Sequence, residues 1–77
     1  MKRTEKAEKL VSEMERIAPY MYEGLYGSFL RYFMDSDKSK WTSNISGHLS
    51  RSNQDWADVG DEIALVLWER FEQRISC

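Results

Sequence analysis

The chain has 77 residues, a formal charge of −2 and an aromatic share of 13%, which fits a single domain over 1–77 and argues against disorder. A domain of this size buries only about 60% of its extended-chain surface, so it must pack well or lean on a partner. The one cysteine, Cys77, excludes an internal disulfide, Cys77 and the lone His48 make no zinc set, and no apolar run is long enough to span a membrane.

The basic start Met1-Lys2-Arg3 runs into a charged helical pattern rather than an apolar signal core. The expected setting is therefore cytoplasmic and reducing. From Glu5 to Ala18, the residues Ala7, Leu10, Val11, Met14, Ile17 and Ala18 recur at i, i+3, i+4 and i+7, the mark of an amphipathic helix. Thr4 is the expected N-cap, with Glu5 and Glu8 near the positive end of the helix dipole. Pro19 disfavours helical geometry at Ala18 and suits the first turn of a new helix.

The second helix is expected over Pro19 to Met34. Met21, Tyr22, Leu25, Tyr26, Phe29, Leu30, Tyr32 and Phe33 spread over a wide apolar arc, and Gly24, Gly27 and Ser28 cluster on the remaining side near Arg31. Each glycine weakens a helix by roughly 1 kcal/mol relative to alanine. Two compensations fit: close approach of a neighbouring helix, or a homodimer contact through Gly24, Gly27, Ser28 and Arg31. The tyrosines with Arg31 resemble a stacking platform for single-stranded nucleic acid, but aromatics at helical spacing fit a core better.

Asp35 to Lys40 is a polar connection. Asp35, Asp37 and Ser39 copy the first ligands of a calcium loop, but Lys40 stands where its glycine belongs and Ser46 where its glutamate belongs, so calcium is rejected. A short third helix is expected over Ser43 to Leu49, with Trp41, Ile45 and Leu49 on one side. Ser52 or Asn53 then caps the next helix.

From Gln54 to about Ile75 the pattern predicts one unbroken helix, roughly 33 Å long. On a wheel, Asp55, Asp58, Asp61, Glu62, Glu69 and Glu72 fall within one sector about 120° wide, with Leu65 as its one strongly apolar member. Residues 53–77 hold these six acids against Arg70 and Arg74. Such a stripe focuses negative potential on one face.

These observations predict an all-α bundle of three longer helices plus one short helix, with the fourth central. No catalytic constellation, metal set or cofactor is expected. His48 has no nucleophile at a telling spacing, and water-facing carboxylates lack the enclosed pocket that tunes catalytic acids. The expected function is a non-enzymatic protein-interaction module, an inhibitor or adaptor. It would lay Asp55, Asp58, Asp61, Glu62, Leu65, Glu69 and Glu72 on a basic, nucleic-acid-binding surface of a partner protein. One alternative is a helix-turn-helix-like DNA-binding regulator over Trp41 to Ile63, which four carboxylates near phosphate oppose. The other is a structural homodimer.

Overall fold

A computed structural model describes residues 2–76 and contains five helices: α1 (Arg3–Ile17), α2 (Pro19–Met34), α3 (Lys38–Ser52), α4 (Gln54–Ala57) and α5 (Gly60–Ser76). The described residues are all-α, with four long helices and one single turn. No helix among the described residues is long and apolar enough to cross a membrane.

Of the stripe its spacing predicts, α1 buries Ala7, Val11 and Met14 and half-buries Leu10, while Ile17, at the helix end, is 64% exposed. Its start differs: Lys2 occupies the cap position, no side chain caps the helix, and Thr4 lies inside the first turn. Glu5 still sits near the positive helix end. The corner before Pro19 forms as expected. Ala18 leaves helical geometry at φ −135°, its N–H donates to Met14 O at 2.8 Å, and its carbonyl accepts from Tyr22 N at 3.1 Å. One residue thus ends α1 and starts α2.

α2 ends in a Schellman turn. Asp37 N–H reaches back to Tyr32 O and Ser36 N–H to Phe33 O, both at 3.0 Å. Ser36 takes the left-handed position at φ 56°, where glycine is usual. This tight reversal is why α3 begins at Lys38 rather than Ser43. Only three residues, Asp35 to Asp37, separate the two helices, and Trp41 must reach the core. Of the serines and threonine that make α3 a weak helix on propensity, three bond their hydroxyls to its own carbonyls: Thr42 to Lys38, Ser50 to Ser46, Ser52 to His48. Burial of Trp41, Ile45 and Leu49 then carries the helix to Ser52.

The expected rod from Gln54 to Ile75 is broken. Asn53, extended at φ −154°, accepts from Asp55 N–H at 2.8 Å and caps α4, so of the two expected caps, Ser52 and Asn53, it is the second that forms. α4 then stops after one turn at Ala57. Asp58 and Val59 form a turn, and a new helix starts at Gly60. The cause is local packing. Val59 is turned inward to 2% exposure. Gly60 lies so near α3 that a Cβ there would stand 3.0 Å from Ser50 Oγ and 3.3 Å from the Ser46 carbonyl oxygen.

α5 is the central helix, burying Gly60, Ile63, Ala64, Val66, Leu67, Trp68 and Phe71. The core it anchors is aromatic. Phe29 meets Trp68 edge-on at 4.7 Å between ring centroids, Phe71 at 5.3 Å and Trp41 at 6.0 Å. Tyr22 and Tyr26 each contact Phe71 at 5.2 Å, which places these two tyrosines in the core rather than on a stacking platform. Trp41 Nε1–H donates to Ser28 Oγ at 3.1 Å, so the indole is buried with its donor satisfied.

Candidate interaction surfaces

The break at Asp58 and Val59 divides the six acids. Asp55 belongs to α4 and shares a shallow groove with Lys6, Lys9 and Glu13 of α1. Asp58 lies in the turn, 3.9 Å from Lys6 Nζ, and its carbonyl accepts from Arg3. Glu62, half-buried on the α1 side of α5, accepts from Arg3 Nε at 2.6 Å and from the second guanidinium nitrogen at 3.2 Å. The continuous stripe over Asp55 to Glu72 is therefore not formed. Its N-terminal part is turned toward α1 and is partly neutralised by the protein's own cations.

The Arg3 guanidinium holds the Glu62 carboxyl below the usual carboxylate range, chiefly through its hydrogen bonds. A carboxyl with a depressed folded-state value stabilises the fold above its unfolded value. That stabilisation is lost as pH falls through the folded value. Replacing Glu62 by glutamine should flatten the fall in stability between neutral and acid pH, checked by urea unfolding at a series of pH values. A Glu62→Gln curve parallel to wild type would show that the pair contributes nothing.

What remains is the outer arc of α5. Asp61, Glu72, Leu65 and Glu69 fall within about 80° of one another at 100° per residue. Leu65 is 43% exposed. Together with Asp61 it lines a shallow groove against Ser39, Thr42 and Ser43 of α3, not against α1. Ser46 Oγ–H donates to Asp61 at 2.6 Å. Among the described residues no lysine or arginine pairs with Asp61, Glu69 or Glu72.

The two arginines of this segment point elsewhere. Arg70 donates to Ser12 Oγ at 3.0 Å. Arg74 donates to both oxygens of Glu23 at 3.1 Å, and its guanidinium carbon lies 4.0 Å over the Tyr26 ring. Both fasten α5 to α1 and α2, leaving the opposite side of α5 to carboxylates.

A second surface lies between α2 and α3. A concavity of about 720 Å³ is lined by Gly24, Gly27, Ser28 and Arg31, the four candidate dimer residues, with Tyr32, Asp35 and Lys40. Gly24 and Gly27 do not serve close helix packing inside the fold, since no neighbouring heavy atom lies within 4 Å of a Cβ built at either position. Ser28 is different, being committed to Trp41.

α3 carries a third feature. It has Lys38, Lys40, Arg51 and His48 and no carboxylate at all. Lys40, Asn44, His48 and Arg51 are exposed, on the side of α3 away from the serines that face α5. The Trp41 to Ile63 region, drawn as two helices around a turn, is in fact α3, the single turn α4 and the start of α5. Its expected second helix is interrupted at Asp58 and Val59.

No three of the described His, Cys, Asp and Glu side chains gather as metal ligands, and no described polar or charged residue is buried. Cys77 lies outside the described residues. The chain matches no protein-family model, no curated protein and no solved structure.

Proposed function

We propose that this chain is a non-enzymatic protein-interaction module that lays the outer face of α5 on a basic surface of a partner protein, as an inhibitor or adaptor. The observation that carries this reading is the arc of Asp61, Leu65, Glu69 and Glu72, which holds an exposed leucine among carboxylates that no described lysine or arginine neutralises. A basic groove that otherwise takes nucleic acid would see such an arc as a row of anions, with Leu65 filling an apolar niche. Asp58 and Glu62 drop out of the contact because Lys6 and Arg3 of α1 already engage them, and Asp55 drops out because it sits on the separate turn α4.

The test is affinity capture from native extract with wild type and with the triple variant Asp61→Lys, Glu69→Lys, Glu72→Lys. A specific partner should be held at low salt, released as the ionic strength reaches about 1 M, where the screening length is only about 3 Å, and lost to the triple variant. A partner retained equally by the charge-reversed chain would end the proposal.

A second reading, DNA binding, is favoured by α3 alone, whose exposed Lys40, Asn44, His48 and Arg51 include no acid. Donors of this kind contact phosphates. In this reading α3, and not the acid-flanked segment after it, would meet the duplex. A low-salt gel shift in which no duplex is retarded removes it.

A further inference from the structure

Much of the outer face of α2 packs on nothing within the fold, and Glu23, which holds Arg74, ties it to α5. Tyr20 is 94% and Met34 85% exposed. Between them lie Gly24 and Gly27, with open space above both. Tyr20 and Met34 stand at the two ends of the helix, on the same side as the glycines.

The charges on this face say what covers it. Glu23, Gly27 and Arg31 are spaced by four and form one ridge of the helix. Arg31 has no carboxylate partner among the described residues. Glu23 holds Arg74 yet keeps its side chain 57% exposed, so its oxygens can accept from outside. An acid and a base thus stand at equal distances on either side of a residue with no side chain.

We propose that α2 is a self-association face: two copies cross antiparallel with Gly27 at the two-fold axis, and Glu23 of each copy meets Arg31 of the other. The sense follows from charge. A parallel crossing at the same point would set Glu23 against Glu23 and Arg31 against Arg31. Ridges spaced by four interdigitate at a crossing near −50°, and Gly27 lets the two backbones approach closely. The contact is isologous, so it closes at two copies.

The crossing partly covers Tyr20 and Met34 at its ends. A standard interface takes about 800 Å² per partner, roughly a sixth of the 5100 Å² surface. One helix crossing covers less, which places the dimer among the weak, transient contacts. This face is separate from the acidic arc of α5, and either assignment can fail without the other.

Sedimentation equilibrium of the full chain from about 10 to about 500 µM tests it. Wild type should pass from monomer to dimer over that range. Gly27→Glu places a charge on the axis, in space that is open in the monomer, and should leave the helical circular dichroism intact while abolishing the dimer. Arg31→Glu should raise the dissociation constant at least about tenfold, and adding Glu23→Arg to it should recover most of that loss. A wild-type chain that is monomeric throughout overturns the proposal. So does a dimer indifferent to Gly27→Glu, a double charge swap no better than the single reversal, or a monomer that binds neutral phosphatidylcholine vesicles through Tyr20 and Met34 instead.

Discussion

Phe29→Ala is expected to cost about 3–5 kcal/mol, the range for removing a fully buried aromatic ring. Phe29 has no solvent exposure and contacts Trp68, Phe71 and Trp41 from α5 and α3 as well as Tyr26 and Phe33 of its own helix. It touches more aromatic rings of the other helices than any other side chain of α2. For a domain of this length total stability is on the order of 4–12 kcal/mol. The substitution therefore removes a large share of it. In urea the midpoint should fall by about 2 M or more, given slopes near 1 kcal/mol/M for small domains. Near-UV circular dichroism should weaken before far-UV, because Trp41 and Trp68 lose their edge-on neighbour while the helices persist. Leu65→Ala, at an exposed position, should change stability by no more than about 0.5 kcal/mol. A Phe29→Ala midpoint as little changed as that of Leu65→Ala would mean that the aromatic cluster is not packed as described.

Glycine substitutions should split by position in opposite directions. All four glycines have ordinary backbone angles, so only space distinguishes them. At Gly60 a Cβ would stand 3.0 Å from Ser50 Oγ, 3.1 Å from Ser46 Oγ and 3.3 Å from the Ser46 carbonyl oxygen. Neither hydroxyl moves freely. Ser46 is bonded to Asp61, and Ser50 to the Ser46 carbonyl. The helix preference for alanine, about 1 kcal/mol, is outweighed by crowding of about 1–3 kcal/mol and loss of those bonds. Gly60→Ala should destabilise by about 1–2 kcal/mol, and Gly60→Val by more. At Gly24, with no neighbour within 4 Å, alanine should stabilise by about 0.5–1 kcal/mol. Denaturant unfolding of the three variants side by side reads the split. A Gly60→Ala protein more stable than wild type would show that α3 and α5 do not approach closely there.

The acidic stripe shows where a helical wheel stops being informative. Asp61, Leu65, Glu69 and Glu72 share one face because they share one helix, and that much follows from periodicity. Asp55 and Asp58 were placed with them only by extending the same rotation through residues 54–60, where the chain turns instead. The partner of Glu62 is Arg3, 59 residues away, which no local pattern connects. Val59 was visible as apolar, and Gly60 as a glycine inside a helical run. What could not be read was that both are needed at the contact with Ser46 and Ser50, since crowding is a property of two helices.

The reverse holds for α2. Its limits, Pro19 and Met34, and its set of small residues were legible from the chain, because a proline and a wide apolar arc act locally. That Gly24 and Gly27 look outward, while Ser28 looks inward to an indole, required the neighbours to be in place. The amino-acid order by itself determined the helical class, most of the apolar stripes of α1 and α2, a cap at Ser52 or Asn53 and the central position of the last helix. These depend on period, propensity and hydrophobic content within a few turns. Tertiary structure alone decided the full length of α3, the break before Gly60, and which carboxylates meet a cation. Each of these is an energy shared between residues far apart in sequence, and it exists only once the helices have packed.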